Sequence, residues 1–506
     1  MRLSAIVRGV GYPLKGASLA VRQNALRLTP DPRRVLARPF LVGGPARLSA
    51  IIDRVRALSD AEISTCLEGV IADYGPRHKD IGATFRENFA MAAARLPGAV
   101  DVSEERSLLM GAYFTQEYSL ESAALFNPSM VVHPDQSGVP RGATRFVVSL
   151  RACGEGHISS IEFRTGTVDA THAVHLDPRS SFSVGARPVD DALYDKPTYT
   201  LKLREMGALN ALAEQVLDGL GAEFTMSELH ASIARSRPNQ PAPALFDDTA
   251  VNLRWLAHSN YHVQFAPDVE LSERVIFPVS ENESRGIEDA RFVRFAYPDG
   301  RVVYYATYSA YNGLRVLPQL IETTDFRYFK INTLNGQCVQ NKGMALFPRK
   351  LGDDFVMAAR LDGENIFLLR SPNIHFWNQS TLIQRPKQPW EFVQLGNCGS
   401  PIETDEGWIL LTHGVGPMRQ YSIGALLLDL EDPSRVIGEL RDSLLQPNKD
   451  ERDGYVPNVV YSCGPMRHGD HLVIPFAVSD AHTTFATVSI PDLLAELRSH
   501  PPSMRS

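Results

Sequence analysis

Cysteine is scarce in this 506-residue chain, and no two cysteines form a CxxC pair. The five stand at widely separated positions: Cys66, Cys153, Cys338, Cys398 and Cys463. An odd number at such spacings argues against a disulfide framework and a cysteine-ligated zinc site, and it suits the cytoplasm. No stretch approaches the roughly 18 consecutive apolar residues of a membrane-spanning helix. Residues 1–16 also lack the apolar core of a signal peptide, so we expect a cytoplasmic protein without membrane contact.

Basic residues are not in excess, because 51 Lys and Arg stand against 58 Asp and Glu, for a net charge of −7. Nucleic-acid-binding domains typically carry a basic surface, so we expect no nucleic-acid partner. The nucleophile elbow GxSxG, the nucleotide-binding loop GxGxxG and the zinc motif HExxH are missing as well. These absences argue against serine hydrolysis, nucleotide binding and metal catalysis, so we expect no metal and no cofactor.

Residues 47–110 have a helical pattern. Apolar residues recur at three- and four-residue steps between Ile51 and Ile71, and Ser59 with Glu62 has the spacing of a capping box. A chain of this length favours more than one structural unit. We therefore predict an N-terminal helical region over 1–120 and a catalytic domain over 121–498. The helices either cap the catalytic face or form the interface of a homo-oligomer, and the sequence does not distinguish these.

From about residue 124 the chain consists of short β-rich runs that repeat. Equivalent first-strand positions are separated by 53, 57 and 57 residues, a period that suits a propeller blade: Phe292, Ala345, Ile402 and Val459. A fifth copy begins at Asn127, and a helical segment at about 195–262 separates it from the next. We predict a mainly β fold, a five-bladed β-propeller with a helical insertion between blades one and two. The rival is a two-sheet sandwich, which regular units of three or four strands disfavour.

Polar residues beside the first strand of each repeat are the site candidates, because these strands line the axis of a propeller. Glu288 and Asp289 are adjacent, so in a regular strand only one of them faces the funnel. Glycoside cleavage needs a carboxylic acid to protonate the leaving oxygen, and either residue could supply it. A surface turn with an internal Asp–Arg pair is the competing interpretation.

Basic groups fall at comparable places in different repeats: Arg151, Lys342, Arg360 and His413. Several cations that converge on one cavity would hold a phosphate or an acidic sugar. Taken singly, each is better explained as a solvated side chain or an ion-pair partner. The segment 450–464 begins with charged residues, which suit a loop at the funnel mouth and a solvated turn equally well. Tyr308 belongs to a set of aromatic residues that could stack on a sugar or wedge blades together.

The motifs together resemble glycoside hydrolase family 130, the β-mannoside phosphorylases and β-1,2-mannosidases. The resemblance covers roughly residues 124–495 and rests on six motifs in order: NPS at 127–129, GIEDAR at 286–291, KGMALFPRK at 342–350, SPIETDEGWILLTHGV at 400–415, GALLLDLEDPSRVIG at 424–438 and GYVPNVVYSCG at 454–464. It implies a five-bladed propeller, as the repeats do. It also implies inverting cleavage of β-mannosides by phosphate, which gives mannose 1-phosphate.

The resemblance implies that Asp289 is the catalytic acid and acts through a sugar hydroxyl. It maps phosphate binding onto Lys342, Arg360 and His413, with Arg151 nearby. We assign binding of the β-mannoside oligosaccharide to residues in or beside these motifs: Asn127, Arg291, Tyr308 and Asp453.

One position departs from the family pattern, because Glu403 stands where phosphorylases commonly have lysine. A carboxylate repels phosphate but could activate water as a general base. Glu403 is therefore a second catalytic candidate, and hydrolysis of β-1,2-mannosides is the alternative to phosphorolysis. Lesser alternatives are a glycan-binding propeller without activity and a furanosidase-type propeller.

Overall fold

Helices dominate the N-terminal part of the computed structural model, which describes residues 19–98, 100–190, 192–237 and 242–501. The expectation about residues 1–16 lies outside these ranges. The N-terminal elements are β1 (Arg22–Gln23), β2 (Val35–Pro39), α1 (Pro45–Arg56), α2 (Asp60–Tyr74), α3 (Ile81–Ala93), α4 (Glu104–Tyr113) and β3 (Thr115–Ser119). Ser59 and Glu62 form the predicted capping box at the start of α2. The helices share an apolar core, and β2 pairs with β3 in antiparallel register, so the region is not purely helical.

A buried charge network fastens this region to the strands that follow. Arg34 binds Glu121 at 3.0 Å and Glu162 at 2.8 Å, and Arg164 binds the same two carboxylates at 2.7 and 3.2 Å. All four side chains are almost completely excluded from solvent. Removing one member would leave a buried charge without its partner, which typically costs about 3–5 kcal/mol.

The first run of strands is an antiparallel meander, here called group 1: β4 (Ala124–Val132), β5 (Thr144–Cys153), β6 (Ser159–Val168) and β7 (Val174–Leu176). A segment with four helices follows: β8 (Val184–Gly185), β9 (Arg187–Pro188), β10 (Tyr194–Asp195), α5 (Lys196–Glu205), α6 (Ala211–Asp218), β11 (Glu223–Phe224), α7 (Met226–Ser236), α8 (Pro243–Ser259), β12 (Tyr261–Gln264) and β13 (Arg274–Ile276). These helices lie where the sequence pattern predicts an insertion, and they enclose an apolar core of their own.

The remaining strands form four further antiparallel groups. Group 2 contains β14 (Gly286–Ala296), β15 (Val302–Tyr311), β16 (Val316–Thr323) and β17 (Tyr328–Thr333), and group 3 contains β18 (Ala345–Leu346), β19 (Phe355–Ala359), β20 (Ile366–Ser371) and β21 (Gln379–Gln384). Group 4 contains β22 (Gln394–Asn397), β23 (Ile402–Thr404), β24 (Gly407–Val415), β25 (Tyr421–Leu428) and β26 (Val436–Glu439). Group 5 contains β27 (Val460–Tyr461), β28 (Met466–His468), β29 (His471–Val478) and β30 (His482–Ser489), and α9 (Ile490–Ser499) ends the described chain.

Pairing across group boundaries ties the chain together. Gly286 pairs in parallel with Ser159, so groups 1 and 2 belong to one continuous sheet. The N-terminal strand β1 pairs with β30 and adds an outer strand to group 5. Ser129 of group 1 forms a parallel bridge with Gly464 of group 5. The first and last groups are therefore in direct contact.

Apolar clusters lie between each group and the next. One cluster joins groups 1 and 2 through Phe163 and Phe292, and others join groups 2 and 3, 3 and 4, and 4 and 5. A fifth cluster joins group 5 back to group 1 through Phe146 and Phe485. The fold is mainly β, as predicted. Among the described residues, no helix combines the length and apolarity that a bilayer span requires.

Candidate functional site

Two β-bulges bring Asn127 and Asp289 together. The register of β4 shifts between Phe126 and Ser129, and that of β14 shifts between Glu288 and Arg291. Asn127 (φ 48°) and Asp289 (φ 57°) occupy the left-handed region, which Asn and Asp tolerate better than most residues. A bulge turns a side chain out of the regular alternation of a strand. As a result, Asn127 Nδ2 donates to Asp289 Oδ1 at 2.7 Å.

The same bulge corrects the expectation that only one of the two acids faces the site. Arg151 donates from Nη2 to Glu288 Oε1 at 2.7 Å and from Nη1 to Asp289 Oδ1 at 3.2 Å. Lys342 Nζ donates to the other oxygen of Glu288. Glu288 and Asp289 therefore point to the same side, because the left-handed residue breaks the alternation on which the prediction was based. The result is a cluster of two acids and two cations contributed by groups 1 and 2 and the segment before β18.

Asp289 carries a negative charge in this arrangement. Its side chain is 16% exposed, and burial alone would raise its pKa. The charges of Arg151 and Lys342 and the hydrogen bond from Asn127 outweigh burial and hold the pKa of Asp289 below its usual value. Asp289 must therefore gain a proton before it can act as an acid, and this requires a change in its surroundings.

Arg291 is a buried connector between groups. Its Nη1 donates to the carbonyl oxygen of Asn397 at 2.7 Å, and its Nη2 donates to the hydroxyl of Tyr461 at 2.7 Å. One side chain of group 2 thus contacts groups 4 and 5. Only 2% of its surface is exposed, and its direct contact with the sugar stays a prediction.

Arg360 and His413 lie side by side, with 3.4 Å between Arg360 Nη1 and His413 Nε2. Burial, together with the charges of Arg360 and Arg291, holds the pKa of His413 well below its usual value. The imidazole is therefore neutral at physiological pH, which corrects the prediction that His413 contributes a cation. Arg360 is partly exposed, and its Nε is buried without a hydrogen-bond partner among the described residues.

Glu403 lies outside the cluster, which corrects its prediction as a general base beside Asp289. Its carboxylate binds Arg349 with distances of 2.6 to 3.1 Å, and 39% of its side chain is exposed. Glu403 pairs with Trp408 at one end of β24, whereas His413 stands five residues further along that strand. At about 3.3 Å per residue, the two positions are about 16 Å apart along the strand. A salt bridge at the edge of group 4 explains this carboxylate.

Tyr308 lies opposite the bulge at Asp289 and lines the same small cavity as Asp289 and Lys342, so its contact with the sugar stays a prediction, as does that of Asp453. The Tyr308 side chain is buried in the core between groups 1 and 2, and its hydroxyl bonds to Glu283 and Gln319, each at 2.5 Å. Tyr308 therefore supports the segment that leads into β14. Asp453 is exposed before β27 and forms no hydrogen bond or ion pair with another described residue.

Asp480, which was not predicted from the sequence, lies in the turn between β29 and β30. Burial and the negative charge of Asp289 together raise the pKa of Asp480 to about 7, although Arg151 and Arg419 act in the opposite direction. Ser479 (φ 49°) and Asp480 (φ 48°) are both left-handed, so the turn holds this carboxyl in a fixed position. The only signal in the sequence was an Asp in a hairpin turn, which is common for purely structural reasons.

A profile of glycoside hydrolase family 130, described as β-1,4-mannooligosaccharide phosphorylase, matches residues 266–498. A 1,2-β-oligomannan phosphorylase of Thermoanaerobacter sp. (strain X514) is 32% identical over 236 residues, which cover 44% of this chain and 75% of the relative. A β-1,2-mannobiose phosphorylase of Listeria innocua serovar 6a is 28% identical over 229 residues, which cover 44% of this chain and 63% of the relative. The solved structure of a Listeria innocua β-1,2-mannobiose phosphorylase with β-1,2-mannobiose has a TM-score of 0.45 and 20% identity, covering 75% of this chain and 93% of that one.

Proposed function

This chain belongs to glycoside hydrolase family 130, and on that premise we propose that it cleaves β-mannosides by phosphorolysis, with inversion, to give mannose 1-phosphate. The observation that carries the proposal is the cluster of Asp289 with the cations Arg151 and Lys342. The relatives named as phosphorylases of β-mannosides support the same reaction. Phosphate is the co-substrate, and a β-mannoside oligosaccharide is the donor.

We propose that the five strand groups are the blades of a five-bladed propeller. The apolar clusters between successive groups, including the one that joins group 5 to group 1, support a closed ring. Arg291 supports it too, because a side chain that reaches both Asn397 and Tyr461 from β14 lies near the common centre of the groups. In this arrangement the first strands converge on the cluster around Asp289.

In the proposed reaction, a phosphate oxygen forms a bond to the anomeric carbon while the bond from that carbon to the glycosidic oxygen breaks. The leaving oxygen takes a proton that Asp289 supplies through a hydroxyl of the mannosyl unit, as the family resemblance implies. The attack comes from the face opposite the leaving group, so the configuration at the anomeric carbon inverts.

The charges around Asp289 suggest how the acid acquires its proton. Arg151 and Lys342 hold the pKa of Asp289 low in the free protein. A phosphate that binds these cations adds negative charge beside the carboxyl and draws the cations away from it, and both effects raise its pKa. We propose that phosphate binding thereby favours the protonated donor. Arg360, whose side chain is partly exposed, supplies a further contact to the anion, and neutral His413 fixes the orientation of Arg360.

Hydrolysis is the weaker alternative. The carboxylate that the sequence analysis assigned to water activation, Glu403, is bound to Arg349 at the edge of group 4. Inverting hydrolases need their two carboxyl groups about 6.5–9.5 Å apart, with water between them. The position of Glu403 does not support that arrangement.

The cellular location and the domain arrangement are also proposals. The scarcity of cysteine supports a cytoplasmic location. We propose that the catalytic domain spans 121–498 with an insertion at about 195–262, and that the N-terminal helices either cap the catalytic face or join two copies of the chain.

Product analysis tests the proposal. The purified full chain is incubated with β-1,2-mannobiose and with β-1,4-mannobiose, each with and without inorganic phosphate. We expect α-mannose 1-phosphate, detected by phosphorus NMR, from at least one disaccharide and only when phosphate is present. Equal release of free mannose with and without phosphate would show hydrolysis instead. The Asp289→Asn variant, measured beside it, shows whether any turnover arises at this cluster.

A further inference from the structure

Three histidines and an aspartate meet where group 5 contacts group 1, away from the site described above. His172 lies in the turn after β6, and His468, Asp470 and His471 lie in the hairpin between β28 and β29. The His172 and His471 rings stack with centroids 3.7 Å apart, and the His468 ring packs edge-on against His172 at 5.2 Å. Residues about 300 positions apart in sequence thus form one cluster.

The donor atoms of this cluster are close enough to share one ion. Asp470 Oδ1 lies 2.7 Å from His471 Nδ1 and 3.6 Å from His172 Nε2, and the ligand atoms of the three residues all lie within 4.8 Å of one another. Donors about 2.0–2.1 Å from a tetrahedral zinc ion stand about 3.4 Å apart. The distances of 2.7 and 3.6 Å lie on either side of that spacing, and binding also requires the stacked rings of His172 and His471 to turn toward the shared ion.

Both turns are held rigidly before any ion binds. Asp169 Oδ1 accepts hydrogen bonds from the backbone N–H groups of Thr171 (2.8 Å) and Ala173 (3.1 Å), on either side of His172. His468 is bonded through both ring nitrogens, to the hydroxyl of Thr144 and the carbonyl oxygen of Asp169. It therefore supports the turn of His172 rather than offering a ligand atom. A site whose ligands are already fixed loses little conformational entropy on binding.

The nitrogen of His172 that faces Asp470 is Nε2. Its Nδ1 is buried and has no hydrogen-bond partner among the described residues, so no hydrogen bond at that nitrogen opposes a turn of the ring. Two imidazoles and one carboxylate, with room for water as a fourth ligand, suit zinc and similar transition metals. Magnesium and calcium prefer oxygen ligands throughout.

We propose that His172, Asp470 and His471 bind one divalent transition-metal ion of the zinc class, which joins the first and last strand groups. The role is structural rather than catalytic, because β6 separates the two sites. This strand runs from Ser159, which bonds to Arg151 of the cluster, to Val168, which lies beside the turn of His172, nine residue steps further along. That distance is about 30 Å along the strand. The inference revises the sequence-based expectation that the protein has no metal site, and it does not depend on the proposed phosphorolysis.

Zinc titration of the full chain tests this inference. The protein is treated with EDTA, dialysed, and titrated with zinc chloride or magnesium chloride by calorimetry, with the thermal midpoint recorded in parallel. We expect one equivalent of zinc per chain and a higher thermal midpoint with zinc but not with magnesium, since an ion that binds only the folded state stabilises it. Absence of saturable zinc binding would overturn the inference.

Variants localise the ion. His172→Asn suits the left-handed backbone of this position (φ 65°), and His471→Gln keeps a polar side chain. Each should weaken zinc binding at least about 100-fold, since loss of even a supporting residue costs 10–100-fold. The matched control is His175→Asn, an exposed histidine bonded to Asp169, which should bind zinc as the unmodified chain does. Metal-free thermal midpoints verify folding. Unchanged affinity in the first two variants, or equal loss in the control, would refute the assignment.

Discussion

Replacing Asp289 by asparagine removes the proposed proton donor with little disturbance of its surroundings. Asparagine tolerates the left-handed backbone that Asp289 adopts (φ 57°), so the bulge in β14 should persist. The amide oxygen can still accept from Asn127 or Arg151, and the variant loses only the charge of the carboxylate. We expect destabilisation of at most about 3 kcal/mol, the upper end of the range for a hydrogen bond to a charged group.

The effect on catalysis should be far larger than the effect on stability. General acid catalysis contributes about 10²–10⁴-fold, so kcat for β-mannobiose should fall by at least about 100-fold in Asp289→Asn. That loss corresponds to about 3–5 kcal/mol in the barrier. An aryl β-mannoside with a good leaving group needs less protonation, so its cleavage should fall much less.

The assay compares kcat for both substrates, in the unmodified chain and in Asp289→Asn, at saturating phosphate. A loss below about tenfold with the disaccharide would refute the role of Asp289 as the acid. An equal loss with both substrates would also refute it, because that pattern indicates damage to binding or folding. Thermal midpoints of both proteins separate loss of chemistry from loss of fold.

Four further predictions follow from the site. Arg360→Ala should raise KM for phosphate at least about tenfold and KM for the sugar much less, measured by initial rates, because one charge-assisted contact of about 1.5–3 kcal/mol is lost. Glu403→Gln should leave kcat/KM within about twofold, because this carboxylate lies in a partly exposed salt bridge of small net value. Tyr308→Phe should lower the free energy of unfolding by about 1–3 kcal/mol in urea denaturation, because its buried partner Glu283 loses a hydrogen bond. The pKa of Asp480 is raised to about 7 in the folded state, above its unfolded value. Ionisation of Asp480 therefore lowers the stability of the fold as pH rises from about 4 to about 7. The thermal midpoint of Asp480→Asn should decline less over that range than the midpoint of the unmodified chain.

Each of these has an outcome that contradicts it. A sugar-specific effect of Arg360→Ala would move that residue to the sugar subsite. Loss of turnover in Glu403→Gln would support the original prediction that Glu403 is a general base. Normal turnover would make this variant the matched control for Asp289→Asn. An unchanged urea midpoint for Tyr308→Phe would show that the hydrogen bond from Tyr308 does not stabilise the folded state. Parallel pH curves for Asp480→Asn and the unmodified chain would show that Asp480 titrates normally.

The sequence alone determined the mainly β character of the chain, the repeat, and the residues of the cluster. Regular spacing of first-strand positions such as Phe292 and Ala345 reflects a backbone unit that recurs, and a recurring unit is visible in one dimension. Asp289, Arg151 and Lys342 were identified because they fall beside the strands of this repeat and within or near the family motifs. The helices of 196–259 followed from periodicity, which is a local property.

Only the tertiary structure decided how these groups act on one another. A bulge at Asp289 put both acids on one side, where an assumption of regular alternation put one of them away. Burial beside Arg360 made His413 neutral, and Glu403 forms a salt bridge with Arg349, 54 residues away in sequence. His172 meets His471 only because group 5 closes against group 1. Such facts depend on distances between residues remote in sequence and on local dielectric, and neither is a property of spacing along the chain.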